Sequence, residues 1–229
     1  MQCGPIRYRD DAKKQAEKRP FDHYIIPRFT SFKVPAWWNK EEQDLSITEL
    51  YTEIVSDEIR NLLIIEDVLQ CYENGRNSII LTERKAHVDL LTKELSKRIP
   101  DVISIMGTMG ARETREILSR IKDAPKEKPL TVVSTGKFIG EGFDEPRLDT
   151  LFLAMPISWK GTLQQYAGRL HRLFDGKKEV LIYDYADIHV RMFEKMYNKR
   201  LSGYASFGYK AKGESFATES VDIKFTVMQ

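Results

Sequence analysis

Cysteine is scarce in these 229 residues: Cys3 and Cys71 are the whole complement, and no CxxC pair exists. That excludes a disulfide framework and a cysteine-based zinc site, and it suits a reducing compartment. Histidine is nearly as rare. His23, His87, His171 and His189 are dispersed without ligand spacing, so no metal site is expected. No apolar run approaches the ~20 residues that span a bilayer, and the first segment, MQCGPIRYRDDAKKQ, has no apolar signal stretch. A cytoplasmic protein with no membrane partner is the expectation. A large excess of either charge is missing as well. The chain has 36 basic and 34 acidic side chains, a formal +2, which announces no polyanion partner but leaves room for a local basic face.

What the chain does have is an ordinary globular composition, 41% hydrophobic and 31% charged, at a length that suits one large domain with appendages. Residues 1–44 are charged and weakly patterned. Their stretch HYIIPRFTSFKVPAWW reads as extended, with Pro27 and Pro35 demoting it to an edge strand or linker. From Leu45 the pattern is helical: Ile59, Leu62, Leu63, Val68, Leu69 and Tyr72 recur at helix spacing, and Gly75 closes the run near a C-cap position. Short apolar strands then alternate with amphipathic helices. SIILT (78–82), VISIM (102–106), LTVVST (130–135), LDTLFLA (148–154) and EVLIYDY (179–185) are the strands. Helices are marked by Val88–Ile99, Ile117–Ile121, Leu163–Gly168 and Ile188–Leu201. Continuous apolar strands separated by helices predict an α/β fold, an open, mostly parallel sheet with helices on both faces. Ligands in such sheets bind beyond the carboxyl ends of the strands, where Thr82, Thr135 and residues 136–147 lie. The tail 202–229 is loose except for a final alternation of Val221, Ile223, Phe225 and Val227.

The stretch QYAGRLHR (165–172) carries the chemistry. Arg169 and Arg172, three apart and just after Gly168, share a helical face, and two forked donors suit a phosphate. Ahead of it stands STGKFIGEGFDEP, with Thr135, Gly140, Glu141, Gly142 and Asp144. Together with ILTERKAHVDLLTKEL, these stretches make Asn77–Leu201 resemble the second RecA-like motor domain of superfamily 2 helicases. The narrower likeness is to the DEAD/DEAH-box branch related to the Res subunit of type III restriction enzymes. The resemblance implies that Arg169 and Arg172 are arginine fingers on the γ-phosphate of ATP, with Gln165 and Gly168 beside them. It further implies that Gly142 and Asp144 lie near the ribose and phosphates, and that Thr82, Arg84 and Thr135 grip a nucleic-acid backbone. The segment Thr135–Asp144 is one residue longer than the family pattern, which leaves Lys137 and Glu141 without a role.

Each of these residues has a plainer reading. The arginines could be surface ion-pair partners, Asp144 a turn before Pro146, and Thr82 and Thr135 strand-end caps. Trp37, Trp38 and Trp159 are expected to pack rather than to stack on bases. A motor also needs a G-x-x-x-x-G-K-[ST] loop and an acidic strand end for magnesium. Neither occurs: GTMGARET (107–114) lacks the Gly-Lys ending, and the acids of LIIED fall within a helical stripe. The expectation is half a motor. Residues 1–44 would be the end of an upstream lobe and its connector, 45–201 the RecA-like lobe, and 202–229 an extension. ATP and Mg2+ would be held mostly by that upstream RecA-like lobe, and this piece alone would be inactive. The favoured substrate is nucleic acid, DNA over RNA. A non-catalytic nucleic-acid-binding module and a nucleotide-sugar transferase domain are the rival readings.

Overall fold

The computed structural model of the chain describes residues 20–34, 38, 45–136, 143–158 and 162–212, with side chains in the last span from Tyr166 onward. The strands are β1 (Asp22–Phe29), β2 (Ser78–Thr82), β3 (Val102–Ile105), β4 (Thr131–Thr135), β5 (Thr150–Leu153), β6 (Glu179–Ala186) and β7 (Lys210–Ala211). The helices are α1 (Ile47–Ser56), α2 (Glu58–Glu73), α3 (Lys85–Leu95), α4 (Ala111–Asp123), α5 (Thr162–Leu170) and α6 (Arg191–Ser206). The strands form one sheet in the order β3-β4-β2-β5-β6-β1-β7, and every neighbouring pair is parallel.

Both faces are covered, as the unbroken apolar strands require. Ile80, Val133, Phe152 and Tyr185 pack against Ile64 and Val68 of α2 and Val88, Leu91 and Leu95 of α3. On the other face Ile79, Leu81, Val132, Leu151 and Ile182 meet Ile121 of α4, Ala167 and Leu170 of α5, and Tyr204 of α6. A third cluster joins Leu50 and Ile54 of α1 to Phe32, Met155 and Phe193.

Three expectations change. Residues read as an edge strand or linker supply β1, which lies inside the edge formed by β7 and pairs along its whole length with β6, from Asp22↔Glu179 to Phe29↔Ala186. Pro27 is tolerated there for a geometric reason. Alternate residues of a parallel strand turn their backbone polar groups to opposite neighbours. Asp22 N and Thr30 N donate to the β6 side, at Lys178 O and Ala186 O, whereas Ile25 O accepts from Lys212 N on the β7 side. The missing N–H of Pro27 therefore points to the side where β7 has already ended. Second, β7 and the end of α6 draw residues up to Ala211 into the fold, past the expected limit at Leu201. Third, the long helical run is two helices broken at Asp57, whose carboxylate accepts from Arg60 N at 2.8 Å and caps α2.

Candidate functional site

Helix α5 follows the carboxyl end of β5, and Arg169 lies in its last turn. The helix ends at Leu170, so Arg172 follows it in a turn rather than sharing the helical face expected from the spacing. Arg169 Nη1 donates to Phe143 O, and Arg172 Nε lies 3.2 Å from Asp144 Oδ1. The two arginines thus hold consecutive residues of the segment leading into β5. The Arg172–Asp144 pair is exposed, at 57% and 49% of the side chains. An exposed pair of this kind is worth about 0–1 kcal/mol and gives way readily to a better anion. The segment it grips is anchored from below. Phe143 is buried in the core, and Arg147 is buried against Glu145 and donates to Ile121 O and Ala124 O at the end of α4. The ammonium of Lys177 lies within 3.0 Å of Pro146 O, Leu148 O, Leu170 O and Arg172 O, tying the segment to the end of α5. A cleft of about 620 Å³ opens beside this group, with Asp144, Lys122, Lys126 and Phe174 in its wall.

The approach to α5 is clamped at three carbonyls. Arg60 donates to Ala154 O at 2.7 Å, Tyr51 to Pro156 O at 2.5 Å, and Arg200 to Ile157 O at 2.7 Å. Arg60 is locked to Asp187 through Nε at 2.8 Å and Nη2 at 3.1 Å, and Thr30 donates to the same carboxylate. Arg200 is locked to Asp184 at 2.8 and 2.7 Å, with Tyr204 also donating to Asp184. Burial, helped by the Glu83 carboxylate, pushes the Tyr51 hydroxyl up to about 12, so it remains a donor at neutral pH. Nothing in the sequence singled out Tyr51, Arg60, Arg200 or Lys177, because each has at least one partner on a remote element. Arg60 and Asp187 are 127 residues apart.

The second group lies at the carboxyl ends of β2 and β4, where Thr82 and Thr135 are register partners. Thr82 is buried, and its hydroxyl is 2.9 Å from His87 Nδ1. His87 Nε2 is 2.9 Å from Asn61 Oδ1, and Asn61 Nδ2 donates to Val55 O. The network assigns the tautomer: Asn61 Oδ1 accepts from Nε2–H, so Nδ1 accepts from the Thr82 hydroxyl. Burial, with the Arg60 guanidinium adding to it, lowers His87 to about 3 and keeps the ring neutral. Arg84 is the N-cap residue of α3 but gives that helix no side-chain cap bond. Its guanidinium turns back to donate to Thr48 O at 3.1 Å and stands 5.7 Å over the Tyr51 ring. Thr135 Oγ1 accepts from Gly107 N at 3.2 Å.

The predicted residues are therefore brought into two groups: Arg169, Arg172 and Asp144 in one, Thr82, Arg84 and Thr135 in the other. Gly168 is exposed on α5 with open space around its Cα. Gly142, Lys137, Glu141, Trp37 and Trp159 lie outside the described residues, as does the side chain of Gln165. Trp38 is partly buried against the α1 cluster. His171, between the two arginines, is buried and 2.8 Å from Tyr209 OH. Among the described residues no group of three His, Cys, Asp or Glu side chains could hold a metal ion, and no helix is long and apolar enough to cross a membrane.

Comparison with known proteins decides the family. The helicase conserved C-terminal domain matches residues 58–174, just over half of the chain. The chain belongs to that family. Helicases of this family work with ATP and magnesium, bind nucleic acid and pair this lobe with another. Over 127 residues the chain is 28% identical to transcript termination protein A18 of cowpox virus (strain Brighton Red), a match covering 54% of this chain and 25% of that protein. Transcript termination protein OPG145 of variola virus matches with the same identity and coverage. The match thus spans about a quarter of the length of these relatives. Among solved structures, T4 UvsW superposes with a TM-score of 0.62 at 17% identity, covering 83% of this chain and 41% of that one. The C-terminal domain of the DEAD-box protein Dbp5 gives a TM-score of 0.53 at 15% identity, covering 85% and 91%. These likenesses show the open parallel sheet expected from the strand–helix alternation, in the RecA-like helicase C-terminal form that the motif resemblance implied.

Proposed function

We propose that this chain is the second motor lobe of an ATP-dependent nucleic-acid helicase or translocase, with DNA as its substrate and Arg169 and Arg172 as its arginine fingers. The observation that carries this is the contrast among its arginines. Arg60, Arg147 and Arg200 are buried in bidentate contacts with carboxylates, whereas Arg172 is exposed and, among the described residues, pairs with Asp144. Arg112 and Arg120 are also exposed in ion pairs but stand on α4, outside the motif. A γ-phosphate presented by a facing lobe offers more negative charge than one carboxylate, and a finger gains most as charge develops in the transition state. Two guanidinium groups fit the phosphate end of ATP, and Asp144, released from Arg172, suits the ribose hydroxyls. Gly142, Gln165 and Gly168 complete the ATP-facing set. Magnesium belongs to the upstream lobe, since the sequence has no phosphate-cradling loop of its own.

The strand-end group is the nucleic-acid track. Because Thr82 spends its hydroxyl on His87, it acts by shaping the loop, while the uncapped N-terminus of α3, Arg84 and Thr135 meet backbone phosphates. The motif likeness to the type III restriction Res branch is what favours DNA.

ATP turnover tests this, measured with and without single-stranded and duplex DNA. The isolated chain is expected to be silent and turnover to appear when the upstream lobe is present. Arg169→Ala then lowers it by roughly three to five decades. Turnover by the isolated chain, or an Arg169→Ala protein as fast as its parent, would refute the assignment.

A further inference from the structure

We infer that Tyr166 couples the nucleic-acid end of the sheet to the arginine pair, as a positioning residue that no motif of the sequence assigns. The inference deepens the motor reading and depends on it. Tyr166 sits on α5 one residue after Gln165 and is 2% exposed. Its hydroxyl donates to Gly136 O, the carbonyl directly after Thr135. The Glu83 carboxylate, between Thr82 and Arg84, closes on the same point. A Cβ built on Gly136 would lie 2.5 Å from Glu83 Oε1 and 2.6 Å from Tyr166 OH. Three segments therefore converge on one glycine: the loop after β2, the loop after β4, and the helix of Arg169.

The geometry makes the contact a transmitter. Packed interiors do not absorb displacement by compression, so a shift of Glu83 or Gly136 must move the tyrosine. Tyr166 and Arg169 are three residues apart on one helical face, about 4.5 Å along the axis. A tilt imposed at Tyr166 therefore reaches Arg169 within one turn. Burial and the nearby Glu83 carboxylate raise the tyrosine hydroxyl, so it stays protonated and remains a donor. Strand binding at the Thr135 end is thereby reported to the helix that carries Arg169.

The experiment compares the intact protein, this chain together with its ATP-holding lobe, as parent, Tyr166→Phe, Gly136→Ala and Arg169→Ala. Two ratios are read with a single-stranded DNA oligonucleotide. One is turnover with DNA over turnover without it, and the other is DNA affinity with a non-hydrolysable ATP analogue over affinity without it. Coupling between sites is reciprocal and typically amounts to about 5–150-fold. Tyr166→Phe is expected to lower both ratios about fivefold or more while the melting temperature stays at the parental value. A residue that only stabilised the fold would leave the ratios alone. If the tyrosine variant melts early, Gly136→Ala gives the same reading, since its methyl group drives Glu83 and Tyr166 apart without removing a core side chain. Arg169→Ala inactive with both ratios parental in the two coupling variants overturns the coupling role alone. An active Arg169→Ala protein overturns the motor reading beneath it.

Discussion

Arginine does two opposed jobs in this chain, and burial separates them. Arg200 and Asp184 are each about 1% exposed, and the guanidinium also holds Ile157 O. Removing one partner of such a pair strands the other charge in the interior, at a cost of about 3–5 kcal/mol. Arg200→Ala should therefore lose most of its stability in a urea titration, whereas Arg172→Ala should stay within about 0.5 kcal/mol of the parent. An Arg172 loss as large as that of Arg200 would mean the exposed pair is structural. His87 contributes a pH dependence of its own. Its folded value, about 3, lies below the ordinary 6.5, so between those values the unfolded chain binds the proton more strongly. This contribution to stability is fully present above about pH 6.5 and is lost as the pH falls toward 3. His87→Phe leaves Thr82 and Asn61 without their partner and is less stable at neutral pH. Its stability should nonetheless fall less steeply on acidification, and an unchanged slope between pH 6.5 and 4 would assign the acid lability to other groups.

At the scale of elements, helix α2 shows where periodicity misleads. Ile59 and Leu62 fit the apolar stripe, yet they are 73% and 55% exposed. The buried face instead carries Arg60, Asn61 and Asp67 alongside Ile64 and Val68. Polar residues occupy that face because partners from remote elements satisfy them: Asp187 for Arg60, His87 for Asn61, and Arg28 with Tyr185 for Asp67. No pattern within the helix announces such partners. Leu62→Gln should accordingly leave thermal stability within about 0.5 kcal/mol. Ile64→Ala, at 0% exposure, should cost about 2–5 kcal/mol. Equal effects would restore Leu62 to the core. The strands were legible for the opposite reason, since β2, β4 and β5 are buried on both faces and read as unbroken apolar runs. β1 was legible only as an edge strand or linker, because its Pro27 fits within the sheet only where β7 stops, a fact of topology. The arginine pair was legible because its spacing is local in the chain, although only Arg169 lies in α5 and Arg172 follows the end of the helix. The carbonyl clamp on Ala154, Pro156 and Ile157 was not, since three elements build it.

Across the whole molecule, charge sets how the chain can hold nucleic acid. With 36 basic and 34 acidic side chains, no large excess of cations is available to displace counterions. Among the described residues the cations at the ends of β2 and β4 are Arg84 and Lys85, with Glu83 beside them, and the remaining contacts are amides and hydroxyls. Neutral donors position a phosphate but release few ions. Single-strand binding by the intact lobe should therefore depend weakly on salt, with a slope of log K against log salt of about −1.4 for the two phosphates that Arg84 and Lys85 neutralise. Fluorescence anisotropy of a labelled oligonucleotide across a salt series measures it. A slope of about −5 or steeper would point to a basic groove away from these strand ends, and Thr135 and Arg84 would lose their place in the track. A shallow slope that falls by about 0.7 in Arg84→Ala would tie that part of the ionic affinity to this side chain. It would leave the rest to Lys85 and to backbone amides that the sheet itself holds in line.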